Sequence, residues 1–171
     1  MEISISEYQV EWPQSYLAEV RLLSNVLQLD RIIDIQHFGS TSVPGLAAKP
    51  IIDIMIGFRS MEDAIASIPA VESLGYEYVE SLSVPGGRLF LQRNPRTRHV
   101  HLVEYGTEHW LKPLLLRDYM RLHKEAREQY VELKKRNADQ FKHDRAGYTK
   151  AKTAFVSGIV DKARQLYTGT P

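Results

Sequence analysis

The chain has 171 residues, 43% of them hydrophobic and 25% charged, with a formal net charge of +1. That length suits one domain over residues 1–171 with a substantial core. No apolar run approaches the roughly 20 residues of a membrane span, and the lack of cysteine excludes disulfides and thiolate metal sites. The opening MEISISEYQVEWPQ is acidic and has neither the basic nor the apolar region of a signal peptide, so a cytoplasmic protein is expected. Charge is unevenly spread: residues 1–111 carry 8 Lys and Arg against 14 Asp and Glu, whereas residues 112–171 carry 14 against 7. A basic C-terminal third can attract a phosphorylated ligand or RNA, but mixed-charge helix faces such as EAREQYVELKK give the same balance.

In chain order, Pro13 at a first turn and Tyr16, Val20, Leu23 and Leu27 at helical spacing predict a helix to about Leu29. Arg31–Phe38 is rich in β-branched residues and predicts a strand. Ser40, Thr41 and Ser42 are good helix caps, but Pro44 and Gly45 allow only a short helical turn there. Pro50 introduces a second strand, Ile51–Phe58, and Ser60 caps a helix that Gly75 stops. Strands are expected at Tyr76–Leu82, Arg88–Asn94 and His99–Tyr105; their short connections predict antiparallel pairing. Helices are expected from Glu108, with Pro113 tolerable only in a first turn, then over Lys124–Asn137 and Tyr148–Tyr167. This order predicts an α+β fold: a small mixed sheet packed by helices, with a helical C-terminal third.

Alternation places Asp53 on the face of the second strand opposite Ile52, Ile54 and Ile56, which must be core. On the last strand, His99 and His101 share one face and Val100, Leu102 and Glu104 the other. The imidazoles can therefore lie on the sheet surface that carries Asp53 and converge on a metal or a phosphate, although two histidines alone define no metal site. The Gly39-Ser40 step comes directly after a strand, and its amides with the Ser40 and Thr41 hydroxyls can cradle an anion. Capping together with a Pro-Gly turn explains the same residues. The order of a Walker A loop is absent. Arg117, Arg121 and Lys124 form one helical stripe, and Tyr148 and Lys152 an i, i+4 pair; such groups can clamp phosphate oxygens or be solvated surface. Trp12 and Trp110 read as packing residues.

The stretch HFGSTSVPGLAAKPIIDIMI resembles the signature of the GrpB family of bacterial proteins. YQVEWPQSY, RHVHLVEYG, HWLKPLLLRDYMRLH and YTKAKTAFV resemble its other blocks in the same order, so the resemblance covers nearly the whole chain. It implies a nucleotidyltransferase-like fold, whose pattern is Gly-Ser, about a dozen residues, then a strand of the form D-h-[DE]-h and a later third carboxylate. Phe38-Gly39-Ser40 matches the first part and Asp53 the first carboxylate, but Met55 stands where the second is expected, and His99 or His101 where the third is. A thioether cannot replace a carboxylate on Mg²⁺, so among Mg²⁺, Mn²⁺ and Zn²⁺ the set Asp53, His99 and His101 favours a borderline ion such as Zn²⁺ or Mn²⁺, or no metal.

The resemblance thus implies a metal-dependent nucleotidyltransferase with an incomplete carboxylate set. In that reading Asp53 and His101 are catalytic, Asp53, His99 and His101 hold the metal, and Gly39, Ser40, Thr41, Lys49, Arg117, Tyr148 and Lys152 bind a nucleotide or other phosphorylated small molecule. The alternative is a non-catalytic ligand-binding module that keeps the fold around a degenerate site.

Overall fold

The computed structural model describes residues 4–92 and 95–168. Helix α1 (Trp12–Val26) leads through a 3₁₀ turn at Leu29–Arg31 into β1 (Ile32–Phe38). A 3₁₀ turn, Ser40–Ser42, and a loop precede β2 (Ile52–Phe58). Two short helices, α2 (Met61–Ala66) and α3 (Ile68–Glu72), stand where one was expected. Pro69 is the reason: it can occupy the first turn of a new helix but not the interior of an old one.

Next come β3 (Glu77–Tyr78), β4 (Gly87–Gln92) and β5 (Arg98–Glu104). The expected strand Tyr76–Leu82 shrinks to two residues and a 3₁₀ turn at Glu80–Leu82, and Asn94 lies outside the described residues. The C-terminal third holds α4 (Glu108–Leu122), α5 (Lys124–Gln140), α6 (Arg145–Lys150) and α7 (Thr153–Thr168). The expected helix Tyr148–Tyr167 is therefore broken near Ala151, so Tyr148 sits on a separate short helix. Pro113 lies inside α4 rather than in its first turn. Burial of Trp110, Tyr119 and Met120 along α4 holds the helix together although Pro113 cannot donate to the carbonyl of His109.

The five strands form one mixed sheet in the order β1-β2-β5-β4-β3. As expected, β3, β4 and β5 pair antiparallel, while β2 and β5 run parallel at the centre. One sheet face buries Ile52, Ile54, Ile56, Phe58, Phe90, Val100 and Leu102 against α1, α2 and α3. The opposite face packs Met55 and Val103 beneath Trp110 of α4. Gly57 permits that approach, because a Cβ there would meet the Trp110 ring at 2.7 Å. A further core joins Val43 and Leu46 of the loop after β1 to Tyr119 and Met120 of α4, Tyr130 of α5 and Ile159 and Ala163 of α7. The helical third is thereby fastened to the loop that leads into β2.

A buried carboxylate ties the first face together. Glu19 of α1 pairs with Arg98 of β5 at 2.5 Å and accepts a hydrogen bond from the Tyr76 hydroxyl at 2.8 Å. Removing one member of a buried ion pair leaves the other uncompensated. Glu19→Ala is expected to lower the stability measured by urea unfolding by about 3 kcal/mol. A loss under about 1 kcal/mol, the range of surface ion pairs, would contradict this role.

Candidate functional site

The site begins where β1 ends. Gly39 has φ +70°, a backbone that L side chains rarely adopt, and a Cβ there would collide with Asp53 Oδ2. The absent side chain is what lets the carboxylate lie against the turn. Asp53 is the second residue of β2, and the parallel register sets it beside His99 and sets Met55 beside His101. All four side chains share one sheet face, as the alternation predicted.

His99 Nδ1 lies 3.0 Å from Asp53 Oδ1, and His99 Nε2 accepts from Arg96 Nε at 3.1 Å. Because Arg96 can only donate, the proton of a neutral His99 is on Nδ1 and is donated to Asp53. Burial works against ionisation of Asp53. The His99 hydrogen bond and the electrostatic pull of His99, His101 and Lys49 outweigh it, and the carboxyl is held below its ordinary range. Burial pushes His101 down to about 4, with Asp53 pulling the other way and His99 adding to the drop. His101 packs edge-on against Phe38, with ring centroids 5.0 Å apart.

Three lysines face this group from other elements. Lys134 of α5 is 2% exposed; its Nζ donates to the Ala47 carbonyl and to Ser40 Oγ. It also lies 4.7 Å from the centre of the Tyr130 ring. Lys49 and Lys152 stand 4.9 and 4.3 Å from the centre of the Tyr148 ring. Burial, reinforced by Lys152 and Lys49, pushes Lys134 down to about 7. Burial and then Lys49 push Lys152 down to about 8, while Asp53 opposes. Crowded cations of this kind are relieved by an anion.

Gly39, Ser40, Thr41, Lys49, Asp53, His99, Tyr148 and Lys152, eight of the residues singled out from the sequence, line one pocket of about 230 Å³. The structure brings these residues together. The Thr41 side chain is already engaged: its hydroxyl donates to the Ile51 carbonyl at 3.1 Å and accepts from His37 Nε2 at 3.1 Å. Arg117 is not brought into the pocket. Its guanidinium bonds Gln36 Oε1 at 2.7 Å, the His37 carbonyl at 2.9 Å and Asp118 at 2.7 Å, bracing α4 against β1. Arg121 likewise donates to the Ser42 carbonyl. His101 stands beside Asp53 and His99 and lines an adjoining pocket. Lys134 and Tyr130 complete the site and were not foreseen. Their signal was available: both fall on the stripe Ala126, Tyr130, Lys134, Ala138 at steps of four, so a lysine in an apolar stripe was turned inward.

Asp53, His99 and His101 each offer a ligand atom, and those atoms lie within 4.8 Å of one another. A tetrahedral ion with bonds of about 2.0–2.1 Å to nitrogen and oxygen suits one carboxylate and two imidazoles. His99 would have to give up the Nδ1 proton that it now donates to Asp53, so loading would release a proton if Nδ1 is the ligand. A pair of Mg²⁺ ions is not matched by these donors, because Met55 is buried under Trp110 and Glu104 belongs to the strand face away from Asp53.

Comparison with known proteins shows the family and the fold. The family model described as GrpB protein matches residues 2–162. The chain belongs to the GrpB family. A UPF0157 protein of Streptomyces coelicolor is 35% identical over 164 residues, covering 95% of this chain and 85% of that protein. YqkA of Bacillus subtilis is 33% identical over 169 residues, but the GrpB chain spans only 49% of its length. The crystal structure of conserved protein GrpB from Enterococcus faecalis superposes with a TM-score of 0.88 at 32% identity, covering 96% of this chain and 99% of that one. The Cid1 poly(U) polymerase bound to MgATP superposes with a TM-score of 0.56 at 16% identity, over 86% of this chain and 50% of the polymerase. At that identity the likeness concerns the fold alone, and the GrpB fold is nucleotidyltransferase-like.

Proposed function

We propose that this GrpB protein binds a nucleotide or related phosphorylated small molecule, with its phosphates in the pocket formed by Gly39, Ser40, Lys49, Lys134 and Lys152. The observation that carries the reading is the convergence of three lysines, two of them with depressed basicity, on the loop that also seats Asp53. Anions bind where amides and cations converge in a partly dry site. Lys49 and Lys152 supply point charges, Lys134 fixes Ser40 and the Ala47 carbonyl, and Tyr130 and Tyr148 wall the space. Asp53 is oriented by the Gly39 backbone and by His99. Zn²⁺ or Mn²⁺ on Asp53, His99 and His101 would neutralise charge on a bound phosphate.

Buried Met55 favours ligand binding over nucleotidyl transfer, since it occupies the place of the second carboxylate. The inward use of Lys134 and the commitment of Arg117 and Arg121 to backbone and side-chain carbonyls favour a small ligand over RNA. Calorimetry with ATP, with and without Mn²⁺, tests the reading. Lys152→Met is expected to weaken ATP about tenfold with or without metal, the scale of one charged hydrogen bond. Asp53→Asn is expected to remove only the metal-dependent gain. ATP affinity unchanged by Lys152→Met would sink the proposal. Transfer from labelled nucleoside triphosphates that Asp53→Ala abolishes would extend it to catalysis.

A further inference from the structure

A second pocket, of about 220 Å³, opens on the same sheet face. Its floor includes Met55 and His101, two residues further along β2 and β5 than Asp53 and His99, and Leu89, two residues before Leu91 on antiparallel β4. Two residues of strand span roughly 7 Å, so the pocket begins about one phosphate-to-sugar step from the lysine site. Phe38, which lines it, is the register partner of Asp53. Its walls are the turn at Val84–Gly87 and the first turns of α4, held close because a Cβ on Gly86 would collide with His109.

The two pockets have opposite chemistry. The first gathers three lysines; the second has a floor of Phe38, Met55, Leu89 and Val103. The charged groups at its rim include some already engaged: Arg88 donates to the carbonyls of Val84 and Gly87, and Glu108 pairs with Arg164. Neither pocket alone reaches the roughly 300 Å³ at which small-molecule sites begin, whereas their combined volume does.

We propose that the second pocket holds the base of a nucleoside triphosphate whose phosphates occupy the lysine pocket, an inference that rests on the phosphate-binding reading above. The ligand lies along β2 and β5, with Asp53, His99 and His101 at the junction of its charged and apolar halves. His101 lines the second pocket at that border.

Calorimetry with inorganic tripolyphosphate and with ATP, GTP, CTP and UTP separates the two pockets. Wild type is expected to bind at least one nucleoside triphosphate tenfold or more tightly than tripolyphosphate, although tripolyphosphate carries more charge. Val84→Trp fills the mouth of the second pocket from a position 44% exposed, outside the core. It is expected to erase that tenfold advantage and leave tripolyphosphate affinity within twofold of wild type. Four nucleotides that bind no more tightly than tripolyphosphate overturn the inference and leave the phosphate site standing. Equal weakening of both ligands by Val84→Trp, or nucleotide binding that the tryptophan does not touch, also overturns it. Failure of tripolyphosphate itself to bind wild type removes the phosphate-binding reading together with this one.

Discussion

Gly39→Ala will leave a folded protein in which the metal site proposed on Asp53, His99 and His101 is weakened. Two effects act at this position, and they differ in size. Gly39 has φ +70° and ψ −174°, a region that only glycine normally enters, and forcing another residue there costs about 1–3 kcal/mol. The added Cβ also meets Asp53 Oδ2, the free end of a side chain that can rotate away. Stability therefore falls modestly, but Asp53 can rotate only by giving up the geometry that faces it toward His99 and His101. Unfolding in urea should show a loss of about 1–3 kcal/mol, while Zn²⁺ or Mn²⁺ affinity falls by about two orders of magnitude, the upper end for removing a group that seats a metal ligand. Metal affinity equal to that of wild type would mean that Asp53 is not seated by the Gly39 backbone.

Lys134→Met will raise stability and lower anion affinity. In the folded chain Lys134 is pushed down to about 7, whereas an unfolded lysine titrates near 10.5. Between those values the unfolded state binds more protons, so stability rises with pH there; below pH 7 both states are charged and the full penalty is present. The swing between pH 6 and pH 9 is on the order of 2 kcal/mol. Methionine removes the buried charge and flattens this slope. The loss of donors to Ala47 and Ser40 returns part of the gain, about 1–3 kcal/mol. The variant should thus gain most over wild type at pH 6 and least at pH 9, and bind tripolyphosphate about tenfold more weakly. A stability difference that grows with pH would reverse the sign of the linkage and reject a buried, depressed Lys134.

Much of the sheet was legible in the residues. The apolar run Ile52, Ile54, Ile56 left Asp53 no place but the opposite face, and Val100 with Leu102 did the same for His99 and His101. What pattern could not supply was the parallel pairing of β2 with β5, because it joins segments some 40 residues apart; that pairing turns a shared face into adjacent side chains. Lys134 was only faintly signalled by the Ala126, Tyr130, Ala138 stripe, for a related reason. Its neighbours in EAREQYVELKKRNADQ are mostly charged, and only the closure of α5 over the loop after β1 makes that position interior. Arg117 erred in the other direction. It sits on a stripe with Arg121, but the carbonyls at His37 and Ser42 claim both guanidinium groups. Pro113 and the break near Ala151 show packing overriding local rules, the first by tolerating a proline and the second by setting Tyr148 on its own turn beside Lys49 and Lys152.

The most direct measurement is the anomalous difference density of a crystal grown with Mn²⁺ and ATP. One peak should stand about 2.0–2.3 Å from a carboxylate oxygen of Asp53 and from nitrogens of His99 and His101, with phosphate oxygens within hydrogen-bond reach of Lys49, Lys152 and Ser40. Manganese bound elsewhere, or a nucleotide whose phosphates avoid the lysine pocket, would contradict the proposed site.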